Sequence, residues 1–204
     1  HSKARIENNQ IINNNGFAAS GGEIINNNTI TLNESDSLNF INAPFAFEFQ
    51  NNLLVDNIIH SGIFVNISNR VNFSNNTIDN NQVVSGDMIN TLTEYIISDI
   101  NLDAINYPLT ISNNNFNSNT VFGSLLKSKV VSVFSGNEIL NSDIHDDDLI
   151  NIETVSYFSD NTISNNSLYY SLFENDSLQI DSLNNAIINL DLSYNNEVLD
   201  LQNN

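Results

Sequence analysis

Apolar and polar residues alternate along this chain over short runs, as at Val71 and Phe73 or at Phe45, Phe47 and Phe49, and the runs break off at asparagines. Val, Ile and Phe dominate the runs, which is the composition of half-buried strands. No stretch sustains a helical period. The pattern therefore predicts short strands separated by turns.

These strands recur in register. With Asn76 of the stretch from Phe73 to Asn81 as the mark, the equivalent residues are Asn9, Asn28, Asn52, Asn76, Asn114, Asn137, Asn161 and Asn185, in steps of 19, 24, 24, 38, 23, 24 and 24 residues. Two positions on lies an apolar column: Ile11, Ile30, Leu54, Ile78, Phe116, Ile139, Ile163 and Ile187. Three positions before the mark is a second: Ile6, Ile25, Phe49, Phe73, Ile111, Phe134 and Phe158, broken by Ser182. Five positions after it a second asparagine column appears at Asn14, Asn33, Asn57, Asn81, Asn119 and Asn166, with Ser142 and Leu190 in the remaining places. Twelve positions after it comes Phe40, Phe64, Met88, Leu126, Leu149 and Phe173.

A unit this short cannot bury its own apolar face and must stack on its neighbours. It also has no room for a strand, a crossover helix and two loops. The predicted fold is an all-β, right-handed parallel β-helix of about eight to nine coils. Most coils have 24 residues, with three short strands each. The asparagine columns are expected at its sharp turns, because Asn tolerates the left-handed backbone conformation. Stacked at strand spacing, their amides can also bond up the column. Asparagine makes up 43 of the 204 residues, and that abundance alone would scatter it through turns. The columns hold register while their surroundings vary, and this favours ladders over filler.

One domain is expected over residues 1–204. Its least regular part is 90–110, where the 38-residue step is read as two short coils, with one coil carrying a loop as the alternative. Glycines at Gly16 and at Gly21 and Gly22 allow tight turning in the first unit. The pattern starts at Ile6 and still runs at Leu201, and the chain opens at His1 without methionine. The expectation is a segment of a longer β-helical polypeptide, or a subunit that stacks end to end, since an uncovered terminal coil templates further strands.

The formal net charge of −19 rests on 24 acidic against five basic residues. Such a chain cannot assemble the basic face that nucleic acid requires. There is no cysteine, so no disulfide contributes to stability. No apolar run is long enough to span a bilayer, and the N-terminus carries no signal-peptide pattern. Self-repulsion opposes sideways clumping of strands.

The FxxN pattern occurs literally at Phe49 to Asn52, Phe73 to Asn76, Phe134 to Asn137 and Phe158 to Asn161, and a Gly-Gly-x-Ile element at Gly21 to Ile24. Over nearly the whole chain these resemble the repeats of polymorphic outer-membrane proteins and autotransporter-passenger adhesins, and more loosely the pectin-lyase-like superfamily. The cysteine-containing repeats of that group have no counterpart here. The resemblance implies an extracellular or cell-surface β-helix with an adhesive or structural role.

Lyases and hydrolases of the resembling fold use carboxylates with a metal or with a Lys or Arg base. Arg70 is the one arginine beyond the N-terminus, and no carboxylate pair recurs at one-coil spacing beside it. No enzymatic activity, catalytic residue, cofactor or metal ligand is therefore assigned. The acidic run Asp143, His145, Asp146, Asp147 and Asp148 has the oxygen donors that calcium takes but no known loop pattern, and is read as a solvated loop. His60 and His145 are read as too far apart in register for a metal pair. Acceptor sequences for N-linked glycans occur at Asn27, Asn33, Asn66, Asn72, Asn75, Asn165 and Asn175, a tally that the abundance of asparagine alone would produce. Tyr95, Tyr107, Tyr157, Tyr169, Tyr170 and Tyr194 occupy different register positions and define no sugar-stacking groove.

The first functional expectation is a stiff extracellular rod, structural or adhesive and open to N-glycosylation. Its partners are self-association, glycans or cell-surface ligands. The alternative is a carbohydrate-binding or carbohydrate-cleaving β-helix.

Overall fold

The computed structural model describes residues 5–15, 19–20, 24–36, 39–44, 46–67, 70–91, 109–145, 147–168, 178–182 and 186–190. Alternation of buried and exposed residues, Val71 in, Asn72 out, Phe73 in, sets each strand, and every pairing but one is parallel to the equivalent strand of the next turn. The result is a parallel β-solenoid with three sheets. One holds seven strands, from Gln10–Ile12 to Thr162–Ser164, and a second holds six, from Glu34–Ser35 to Ser167–Leu168. The third, of 13 strands, runs as two rows. The rows fuse where Leu126–Ser135 and Ile150–Ser159 each span both as one 10-residue strand. Among the described residues five turns, between Ile24 and Ile152, carry strands in the first two sheets and in both rows of the third, with partial turns on either side. The eight to nine coils expected are too many.

Most of that excess comes from two places. Asn72–Ser74 pairs directly with Thr110–Ser112, and Thr77–Asp79 with Asn115–Asn117, so the 38-residue step is a single coil. Its additional residues fall between Thr91 and Leu109, and the reading as two short coils is corrected. The last unit also leaves the pattern. Ala186–Leu190 pairs with Ile150, Asn151 and Ile152 in the third sheet, so Ile187 does not join the column ending at Ile163. Leu178–Ser182 then pairs antiparallel with Ala186–Leu190, the one antiparallel pair among the described strands. Leu92 to Ile97, Phe173, Asn185 and the glycines at 16, 21 and 22 lie outside the described residues.

The apolar columns meet in one core. Phe49, Phe73, Ile111, Phe134 and Phe158 are fully buried along one line, with Phe49 and Phe73 ring centroids 4.9 Å apart and Phe134 and Phe158 5.0 Å apart. Ile30, Leu54, Ile78, Phe116 and Ile139 form a second line, and Ile59, Val83, Val121 and Ile144 a third. Apolar burial contributes about 25 cal/mol per Å², so like-on-like stacking supplies most of the driving force. The column through Phe40, Phe64, Met88 and Leu149 passes through Leu125, not Leu126. Met88 N–H donates to Ser124 O and Ile89 N–H to Leu125 O, because Leu125 follows Val121 by four residues where Met88 follows Val83, and Leu149 follows Ile144, by five. Leu126 is buried beside it, opposite Ile89 and Ile150.

The turns divide the asparagine chemistry between two neighbouring positions. Left-handed φ is adopted by Asn8, Asn27, Asn51, Asn75, Asn113, Gly136 and Asp160 at one corner, and by Asn13, Leu32, Asp56, Asn80, Ser118, Asn141 and Asn165 at the next. Each immediately precedes a residue of one of the two asparagine columns, Ser142 standing in that place after Asn141, and the column residue itself is not left-handed. The left-handed conformation was expected at the register residues. It belongs to the residue before them, which is exposed or half-buried, and the register residue is turned inward to bond.

Candidate functional site

Two buried amide ladders organise the solenoid. In the first, Asn52 donates from its backbone N–H and its Nδ2 to Asn76 Oδ1, both at 3.0 Å, and Asn76 does the same to Asn114 Oδ1. The second hydrogen of Asn76 Nδ2 reaches back to Phe49 O at 2.9 Å. Every capacity of the side-chain amide is thus filled, two acceptor sites and two donors. The same pattern joins Asn9, Asn28, Asn52, Asn76, Asn114, Asn137 and Asn161. In the second ladder it joins Asn14, Asn33, Asn57, Asn81 and Asn119.

Ser142 continues the second ladder with a shorter side chain. Its Oγ accepts from Asn119 N–H at 3.2 Å and donates to Leu140 O, and its own N–H donates to Asn166 Oδ1. The amide's bond to the next rung and its bond back to the preceding one are both missing at this step. Ser142→Asn is expected to restore them and stabilise the fold by about 1 kcal/mol. A thermal midpoint equal to or below that of the unchanged chain would refute this.

Gly62, Gly86 and Gly123 stack at the corner between the second and third sheets. Gly62 and Gly86 have positive φ, and a Cβ on Gly86 would collide with Gly62 O. Here Asp87 Oδ1 accepts from Ser124 N–H at 3.0 Å and Asp87 Oδ2 from Asn90 Nδ2 at 2.8 Å. One turn pattern recurs further on, where Asp148 Oδ2 accepts from Asn151 Nδ2 at 3.1 Å. Lys127 Nζ lies 2.9 Å from Asp147 Oδ2, with both side chains about one-third exposed. Burial is the largest single influence and works against both charges, but it is outweighed by the mutual hydrogen bond and attraction of the pair taken together with Asp87 and Asp148 on Lys127 and Asp148 N–H on Asp147. The lysine is held above its ordinary pKa and the aspartate below its own. The sequence reading of 143–148 as a solvated loop is therefore too simple. Asp143 sits in a strand and Asp147 is engaged by Lys127, while Asp146 lies outside the described residues.

The lowered Asp147 value contributes stability above 3.8 that is lost as pH falls through it. The raised Lys127 value contributes stability below 10.5 that is lost as pH rises through it. Lys127→Met is expected to cost no more than about 1 kcal/mol at neutral pH, given the exposure of the pair. That difference should shrink in acid, as pH falls below 3.8 and through the lowered value of Asp147. A pH-independent difference in thermal midpoint would count against the ion pair.

The remaining candidates are dispersed. His60 and His145 occupy one column position, but Val84 and Phe122 intervene, which separates them by roughly 14 Å at strand spacing, too far for a metal pair. His60 Nε2 contacts Glu34 Oε1 at 2.6 Å, and His145 stacks on Phe122 at 4.3 Å between centroids. Among the described residues no group of three or more His, Asp or Glu is placed to hold a metal ion, and no helix is long and apolar enough to cross a membrane. Of the glycan acceptors, Asn27, Asn72, Asn75 and Asn165 are exposed. Asn33 is a buried ladder residue and Asn66 is buried and donates to Asn42 Oδ1, so neither is open to modification in the folded chain. Asn175 lies outside the described residues, as do all the tyrosines except Tyr157, which is exposed. The ladders were legible in the sequence, whereas the Lys127–Asp147 pair was not, since its 20-residue separation is shorter than any regular coil. No known protein family, curated protein or solved structure matches the chain.

Proposed function

We propose that this chain is a structural or adhesive rod of an extracellular or cell-surface assembly, wound right-handed as crossovers between parallel strands almost always are. The observation that carries the reading is the division of labour across each strand. Inward positions repeat the same apolar and amide residues from turn to turn, while the outward positions of the first sheet change at every rung: Thr29 and Thr31, Leu53 and Val55, Thr77 and Asp79, Asn115 and Asn117. A scaffold that is constant inside and variable outside supports recognition over an extended surface. Exposed Asn27, Asn72, Asn75 and Asn165 supply positions for N-linked glycans in a chain that passes through a secretory pathway. The kinship to polymorphic outer-membrane and autotransporter-passenger adhesins belongs to this proposal, on the FxxN pattern. Binding of the purified chain to intact cells and to arrayed polysaccharides tests it. Saturable binding without release of new sugar ends is the expected result. Polysaccharide cleavage would overturn the rod in favour of a carbohydrate-cleaving β-helix.

A further inference from the structure

We propose that the corner between the first and second sheets, at Leu32, Leu53, Val55 and Ile58, is a docking surface for a lysine- or arginine-rich polypeptide segment that carries an apolar anchor. The inference rests on reading the chain as an adhesive rod and names the kind of partner that one face of the rod takes.

Leu32 makes the argument. It occupies the left-handed corner position that Asn13, Asp56, Asn80, Ser118, Asn141 and Asn165 fill in the other rungs, with a φ of 55° and its N–H donating to Val55 O. Short polar side chains can bond locally in that conformation, whereas a branched apolar one gains nothing from it and is strained. Leu32 is also 54% exposed, the highest value among the exposed large apolar residues described. Neither the turn nor the core accounts for leucine here. An unfavourable residue held outward at a corner points to a contact made outside the chain.

The next rung extends the surface. Leu53 is 40% and Ile58 38% exposed, with Val55 half-buried between them in sequence. Each stands where the adjoining rungs are polar: Thr29 and Thr77 beside Leu53, Thr31 and Asp79 beside Val55, Glu34 and Gln82 beside Ile58. At a strand spacing of roughly 4.8 Å the four side chains make one patch around the corner. Singly exposed apolar residues are ordinary, but an apolar cluster with a polar rim marks a contact surface.

Charge identifies the occupant. The rim carries Glu34, Asp56 and Asp79. Asp56 Oδ1 accepts from Asn80 Nδ2 at 2.6 Å, a neutral group that leaves the local balance negative, and Glu34 contacts His60. Among the described residues the first and second sheets hold Glu34, Asp79, Glu138 and Asp143 but no lysine or arginine. Arg5, Lys127 and Lys129 belong to strands of the third sheet. A second copy would bring a formal charge of −19 against an acidic face, and an anionic lipid surface would be repelled in the same way. Apolar side chains between cationic ones match both the patch and its rim.

Fluorescence anisotropy with the whole chain and a labelled peptide whose leucines are flanked on both sides by lysines tests this. Saturable binding is expected, with peptides that replace the leucines by serine or the lysines by glutamate each binding more weakly by roughly tenfold or more. In the protein, Leu32→Asn and Ile58→Gln introduce the residue types found at Asn80 and Gln82, and together they should weaken binding to the same degree. Leu32→Asn alone should raise the thermal midpoint, because it relieves the strained corner. No binding, equal binding of the serine peptide, or full binding by the double variant would overturn the proposal. A lowered midpoint in Leu32→Asn would also overturn it by giving Leu32 a structural role, and self-association abolished by Leu32→Asn would make a second copy the occupant. Binding to cells and cleavage of polysaccharide are read separately, so failure of the rod reading and failure of the docking surface are distinguishable.

Discussion

Ile78→Asp is expected to unfold the rungs on both sides of it, lowering stability by more than about 4 kcal/mol. Ile78 is fully buried between Leu54 and Phe116 in the stack, paired by register with both. The substitution removes apolar contacts in two directions and places a carboxylate in a core whose described residues include no cation to receive it. Repeat proteins transmit such damage to their nearest neighbours, because each rung owes most of its stability to the two beside it. Circular dichroism during thermal melting measures the loss, and hydrogen exchange locates it. Protection should vanish first in the strands Leu53–Val55, Thr77–Asp79 and Asn115–Asn117. An unchanged midpoint would remove the physical basis for the stacked core.

The second large effect is expected from Asn76→Ala, at about 3 to 5 kcal/mol. The substitution deletes four hydrogen bonds and strands the backbone N–H and Nδ2 of Asn52 together with Phe49 O, in a place water does not reach. Orphaned buried groups cost more than the bonds themselves contribute. The neighbouring left-handed residue Asn75 supplies the contrast. It is exposed, and Asn75→Gly keeps the conformation available, so that variant should stay within about 0.5 kcal/mol of the unchanged chain. Urea denaturation of the two variants separates the roles of adjacent asparagines. Equal losses would show that the turn conformation, and not the ladder, is what the register asparagine maintains.

The sequence pattern revealed more of the fold than of its surfaces. Alternation at Val71, Phe73 and Ile78 identified strands because burial on one face imposes that period, and the repeat identified stacking because one rung cannot form a core. The parallel registers follow from both. What escaped was set by local steric economy and not by pattern. Deletion of one residue before Leu125 moved the Phe40 column off its arithmetic position, and an insertion between Thr91 and Leu109 looked like a second coil because length alone cannot distinguish a rung from a loop. The adjacent Asn75 and Asn76 look identical in sequence, yet one is exposed with positive φ and the other is buried with four bonds. Only the inward turn of the chain tells them apart. The Lys127–Asp147 contact had no signal, since surface pairs form wherever long side chains reach.

The two amide ladders also give the rod an electrical direction. Each Oδ1 faces the preceding rung and each Nδ2 donates to the following one, so the side-chain dipoles of Asn9 to Asn161 are aligned head to tail along the axis. Single amides carry roughly 3.5 D, and aligned in series they polarise one another as the peptide units of a helix do. The negative pole lies at Asn9 and Asn14, and the positive pole toward Asn161 and Asn166. Rods lying side by side are then favoured in opposite directions, while those meeting end on are favoured in the same direction.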